Sequence, residues 1–530
     1  MNKIFNVGMF SFLTLALFVG GSRSAYADYG FTSVQDGAWS TAATWNNGTP
    51  TDGSSVLVSH AVTSSYMGWK GDITIGDTVT LTFTKSSNGY AIDYNSGNLT
   101  LAEVGSNFAI NGGSVFLGVA SGSTFNGVVT KGGLNWNLGT SGALNSVWLG
   151  WRSSNGNLTL GGTSENTITG TYFMVGINSG TGKLTLQDQS VNIFNSGVYI
   201  SCGGAGSFKG DNGKGYLNIT GGTNTFSKAF YIGEVATATG EVFIDGGVND
   251  FQSSFNFSAC KTGTLIVQNG QTTIVGALDM SNTTGTKTFN RIGGQGSLSA
   301  GSISLASPNT MNFKVDSSGL AVTTVTGAAT LNGNINASLS GGVAYTTQNS
   351  FTAINANSIS GTPTITNDLW NAAIDGGALT ISLNNSFKIA EATLSENGYW
   401  SYDLTTPAAK GWVQFSPDNW TGAYNLKLEL DGLPQDTTNF LAFIETGLEG
   451  NEALSAVLSD NTLTINGLRF DALTPQYFSW DFATAFPGIA VTGLASGENA
   501  VPEPASYLLL LLGGIGLYLF TSKRKARLDI

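Results

Sequence analysis

The sequence predicts an all-β chain: a right-handed parallel β-helix (a solenoid), then a small β domain, with a C-terminal transmembrane helix. Three observations predict this. Glycine-led segments with alternating apolar residues recur through the middle of the chain. Glycine supplies 72 of the 530 residues while only 11% are charged, a profile of short strands and tight turns. Both ends carry apolar segments unlike the body between them.

The N-terminal element is expected to be removed. Lys3 gives a positive start, Met9 to Val19 is a short apolar run, and Ala25-Tyr26-Ala27 offers small residues where a signal peptidase reads them. Residues 1–27 therefore read as a signal peptide, cut before Asp28. The run is shorter than the about 20 apolar residues that span a bilayer.

Residues 28–96 read as an N-terminal cap and first coils. Trp39 and Trp45 lead to the alternating run Ser55-Val56-Leu57-Val58, and the open end of a β-helix is a sheet edge that must be covered. The two tryptophans are expected in this cap or core.

Residues 97–290 hold the repeat. Its members are Gly97-Asn-Leu99-Thr-Leu101, Gly156-Asn-Leu158-Thr-Leu160, Gly182-Lys-Leu184-Thr-Leu186, Gly215-Tyr-Leu217-Asn-Ile219, Gly240-Glu-Val242-Phe-Ile244 and Gly263-Thr-Leu265-Ile-Val267. A weaker member starts at Gly122, and the intervals are then 25, 34, 26, 33, 25 and 23 residues. Apolar residues two apart point to one face of a strand. A second strand follows in each unit, as in Phe116-Leu117-Gly118, Trp148-Leu149-Gly150, Met174-Val175-Gly176, Tyr199-Ile200-Ser201 and Tyr231-Ile232-Gly233. Such a unit cannot bury its apolar face alone, so successive units are expected to stack with rungs about 4.8 Å apart. A β-propeller is the alternative, although its blades need about 40 residues.

Residues 291–390 keep strand character without a clean repeat and are expected to continue the β-helix. Residues 391–498 differ, with 14 acidic and 3 basic residues, and runs such as Leu426-Lys427-Leu428-Glu429-Leu430 alternate cleanly. They are expected to form the separate acidic β domain, sandwich-like, with its acids solvated.

Residues 501–530 end the chain. Pro502, Glu503 and Pro504 precede the apolar stretch 505–520 and a basic cluster of Lys523, Arg524, Lys525 and Arg527. This is the pattern of an apolar helix that crosses a membrane with its basic end held inside. The prolines keep the preceding chain extended.

That order resembles the PEP-CTERM sorting signal, although Leu528-Asp529-Ile530 runs on past the basic cluster. The resemblance implies recognition by an exosortase, removal of the tail, and delivery to the outer surface or extracellular matrix of a Gram-negative-type bacterium after transient anchoring in the inner membrane. The glycine-led repeats are likewise similar to those of autotransporter passengers and PEP-CTERM-associated proteins, which implies a stalk, adhesin-like passenger or matrix component.

Charge and composition narrow the partners. Without the two ends, 16 basic residues face 32 acidic ones, a net charge near −16. This argues against nucleic acid, and membrane contact is expected only through the C-terminal helix. Signal peptidase and exosortase are the expected partners during export, and exopolysaccharide the expected partner afterwards.

No catalytic residue, metal site or cofactor is expected. His60 is the only histidine, and no phosphate-cradling loop or calcium-binding nonapeptide occurs. Glu234, Glu241, Asp245 and Asp250 are the densest acids of the repeat region and read as turn and surface residues. A β-helix polysaccharide lyase or hydrolase, which needs clustered carboxylates, is the rival reading. An adhesin-like passenger for a protein or cell partner is another. Phe116, Trp148, Met174, Tyr199 and Tyr231 occupy one column, expected to face outward. Phe116, Trp148, Tyr199 and Tyr231 are therefore the candidate glycan contacts, against the plainer role of a stiffening ladder. Cys202 and Cys260 are placed at one repeat position two rungs apart, too far for a disulfide, so two free buried thiols are expected.

Overall fold

The computed structural model describes residues 29–85, 90–139, 145–202, 212–316, 319–339, 350–394, 400–417, 422–432, 444–446, 455–470, 476–483 and 488–497. Residues 1–28 and 498–530 lie outside them, and with them Ala25, Ala27, Pro502, Glu503, Pro504, the 505–520 stretch, Lys523, Arg524, Lys525 and Arg527. Among the described residues no helix is long and apolar enough to cross a membrane.

The chain is all-β, and its main body is a β-solenoid of about 14 turns. Each regular coil contributes three strand segments. Asn155–Leu160 forms the first face, and Glu165–Ile177 bends to supply the second and third. The next coil repeats this with Thr181–Leu186 and Val191–Cys202, paired parallel to the coil before. Period-two alternation buries one column after another. Leu158, Leu184, Leu217, Val242 and Leu265 stack inside the first face, and Val175, Ile200 and Ile232 inside the third.

The second face was not anticipated from the sequence. Its inner positions carry Ile168, Phe194, Phe226 and Phe251 in register. Phe194, Phe226 and Phe251 stack nearly parallel, with centroids 5.1 and 4.6 Å apart. Two residues earlier run Asn166, Asn192, Asn224 and Asn249, all buried. Each amide donates Nδ2–H to the next Oδ1, at 2.9, 2.8 and 2.8 Å, and Asn249 ends on the Thr272 hydroxyl at 3.5 Å. Parallel stacking puts identical amides one rung apart, so each satisfies the next and the core tolerates them.

Two registers differ from the sequence reading. Phe125, not Gly122, pairs with Gly97 and Gly156, and Gly122 sits in the turn before it at φ +75°. The inserted turn residues displaced the repeat by three. On the third face Phe257 pairs with Ile232, and Asn256 continues the Tyr199–Tyr231 column. Phe257 is thus a core residue, and the placement of Cys202 and Cys260 at one repeat position was one residue out. Cys260 is a free, buried thiol, while the Cys202 side chain lies outside the described residues.

Parallel pairing begins at Phe31–Thr32 with Val56–Val58. Trp39 and Trp45 are buried there, with centroids 5.0 Å apart, and the Trp45 indole donates to the Trp39 carbonyl at 2.9 Å. At the far end the pairing turns antiparallel. The hairpin of Trp370–Asp375 and Ala378–Leu383 lies against Ser350–Ser360 and closes the sheet edge.

Beyond it come two further sheets, of four and five strands, between Lys388 and Gly497. Val413, Phe415 and Trp480 of one share an apolar cluster with Leu426, Ile465 and Val491 of the other. The Trp412 indole donates to the Asn384 carbonyl at 2.9 Å, and Lys410 pairs with Asp368 at 2.6 Å, tying these sheets to the solenoid end.

Candidate functional site

Phe116, Trp148, Met174, Tyr199 and Tyr231 pair successively in register on the third face. They alternate with the inner column Leu117, Leu149, Val175, Ile200 and Ile232, so their side chains leave the core on the outer side.

Outward does not mean exposed for all five. Phe116, Trp148 and Met174 are 3%, 1% and 0% exposed. They form a second apolar cluster, separate from the core, with Val119, Trp151 and Ile177. The cause is local. Gly118, Gly150 and Gly176 take φ of +74°, +72° and +71°, which breaks the alternation. The side chain following the kink returns to the outer side, and Trp151 packs against Trp148 at 5.5 Å and Phe116 at 5.1 Å. Phe116 and Trp148 therefore build a platform and present no open ring. Trp151 was missed because the glycine before it disguises its direction.

Tyr199 and Tyr231 differ. Both are half-buried, and their rings stack 4.6 Å apart at 13°. Tyr172 meets Tyr199 edge-on at 5.4 Å. The column continues into Asn256 and Asp279, so the apolar platform grades into polar side chains along the solenoid.

The other candidates fall elsewhere. The His60 ring shares a 2.8 Å hydrogen bond with the Ser33 carbonyl, and the Ser33 hydroxyl accepts from the His60 backbone N–H at 2.9 Å. Both bonds tie two early coils together. Glu241 faces out from the first face between Tyr216 and Thr264, and Asp250 lies on the second face between Thr225 and Thr273. Asp245 accepts from the Asn269 amide at 2.6 Å. Glu234 lies in the bend after the third-face strand Phe230–Ile232, so the four acids are spread around the coil. Among the described residues, no group of three or more His, Cys, Asp or Glu side chains is placed to hold a metal ion.

Comparison with known proteins returned no matching family model, no matching curated protein and no matching solved structure.

Proposed function

We propose that this chain is an exported, exosortase-sorted structural protein of the bacterial surface or extracellular matrix, associated with exopolysaccharide and without catalytic activity. The solenoid winds in the right-handed sense favoured for parallel crossovers. The sheets of residues 391–498 form a separate acidic, sandwich-like domain beside the sorted end. The C-terminal helix anchors the chain in the inner membrane until exosortase removes it, and signal peptidase removes residues 1–27.

The observation that carries the binding role is the stacked, half-buried Tyr199–Tyr231 pair at the rim of an apolar platform. Aromatic faces on a regular repeat suit the C–H faces of a sugar chain. The two ends of the sequence carry the compartment.

Incubation of the full chain, in mild detergent, with insoluble bacterial polysaccharides tests this. Retention in the pellet is expected, together with at least about ten-fold weaker retention for Tyr199→Ala/Tyr231→Ala. New reducing or unsaturated chain ends would instead establish a lyase or hydrolase. Absence of retention would leave an adhesin for a protein partner as the better account.

A further inference from the structure

Towards the N-terminal end of the same outer column, Asp93 stands in register between Gly68 and Phe116. It is half-buried, and its Oδ1 is sealed from solvent with no hydrogen-bond partner among the described residues. Burial pushes its carboxyl upward, and the nearby Arg152 charge opposes that. An unpaired, partly desolvated carboxylate is costly, so its persistence on an outer face calls for a reason.

Its surroundings supply one. Tyr66 and Tyr90 are 48% and 44% exposed. A Cβ placed on Gly68 would lie 3.0 Å from the Tyr66 hydroxyl, so this phenol crosses the glycine one rung from Asp93. On the other side the Tyr90 ring meets Phe116 edge-on at 4.9 Å. Two open aromatic rings thus flank the carboxylate. Arg152 lies over the Trp151 ring at 3.9 Å, and Trp151, only 6% exposed, has an indole N–H without a partner.

We propose that Tyr66, Tyr90, Asp93 and Arg152 form a binding subsite for a neutral, hydroxyl-rich saccharide. The inference rests on the reading that the solenoid meets polysaccharide, and it names the class. The half-buried Asp93 side chain offers an acceptor and the exposed Arg152 guanidinium a donor. A sugar hydroxyl can meet both. The tyrosine rings cover C–H faces, and Arg152 donates to ring and hydroxyl oxygens. A polyanion is disfavoured by Asp93 and by the chain's net charge of −12. A lone carboxylate holds a glycan, whereas glycoside hydrolysis ordinarily employs a pair.

Affinity electrophoresis of the full chain in mild detergent tests the subsite, with two neutral glucans (laminarin, dextran) or two polyanions (alginate, hyaluronan) cast in the gel. A neutral glucan is expected to retard the wild type. Asp93→Ala and Tyr66→Ala/Tyr90→Ala should weaken this by about ten- to a hundred-fold, the scale of a lost charged hydrogen bond. Asp93→Asn keeps the shape and guards against misfolding, and it too should bind more weakly. Unaltered retardation of Asp93→Asn and of the double tyrosine variant would overturn the subsite. Loss confined to Tyr231→Ala would do the same while leaving glycan association by the tyrosine pair intact. Retardation by the polyanions alone would overturn the neutral class but keep the broader reading. Absence of retardation in all four gels would remove both.

Discussion

Asn192 shows what a single residue does in this fold. Its amide accepts from Asn166 and donates to Asn224, both near 2.9 Å, inside the core. Asn192→Ala strands one buried donor and one buried acceptor and should cost about 2–4 kcal/mol in chemical denaturation. Thr272, at the ladder's end, bonds only at 3.5 Å, so Thr272→Val should cost much less. The ladder was open to view in the sequence as Asn166-Thr-Ile168, Asn192-Ile-Phe194, Asn224-Thr-Phe226 and Asn249-Asp-Phe251. It escaped notice because asparagine ordinarily signals a turn, and only stacking neighbours make it a core residue. Two carboxyls act oppositely. Burial raises Asp93 and Glu241 above the usual carboxylate range. An acid whose folded value is raised binds protons more strongly when folded, so stability falls as pH rises from the unfolded value through the folded one. Asp93→Asn and Glu241→Gln should each stabilise the chain at pH 7 and lose that advantage near pH 3, read by thermal unfolding.

At the scale of the strand, the glycines decide direction. Gly176 has φ +71°, and an added Cβ would overlap the Lys214 carbonyl oxygen of the next coil. Gly176→Ala should cost at least about 2 kcal/mol through backbone strain and displaced packing. Gly122, also at φ +75° but with open space around it, carries the strain without the clash and should cost less. The same contrast explains what the repeat did and did not reveal. Leu158, Leu184 and Leu217 were correctly placed because clean alternation follows each leading glycine. Gly122 and Cys260 were misplaced because turns of unequal length separate the strands, and period-two patterning does not count turn residues. Trp148 was put on the correct side but expected in the open. Its burial depends on Trp151, whose return to that side requires the kink at Gly150. Trp148→Ala should therefore cost about 3–5 kcal/mol as a cavity and act on stability before binding.

Across the whole molecule, stacked coils contact only their neighbours, so stability is built rung by rung and the two ends need covers. Trp39 and Trp45 are buried in the first described coils, and the Trp370–Leu383 hairpin closes the sheet edge at the far end. The repeating composition made the solenoid legible, because each coil shares one chemical pattern. The strand of the second face was not legible, because it is short and half polar. The function proposed here joins a stacked scaffold, an aromatic face on its outside and sorting signals at its ends. Its central claim is that the chain works outside the cell in a glycan matrix. The most direct measurement is mass spectrometry of the chain recovered from fractionated bacteria, before and after enzymatic depolymerisation of the surface polysaccharide. The account predicts a chain that starts at Asp28, lacks residues 505–530, sits in the matrix fraction and is released by depolymerisation. A chain with both ends intact in the cytoplasm or inner membrane, indifferent to depolymerisation, would contradict it.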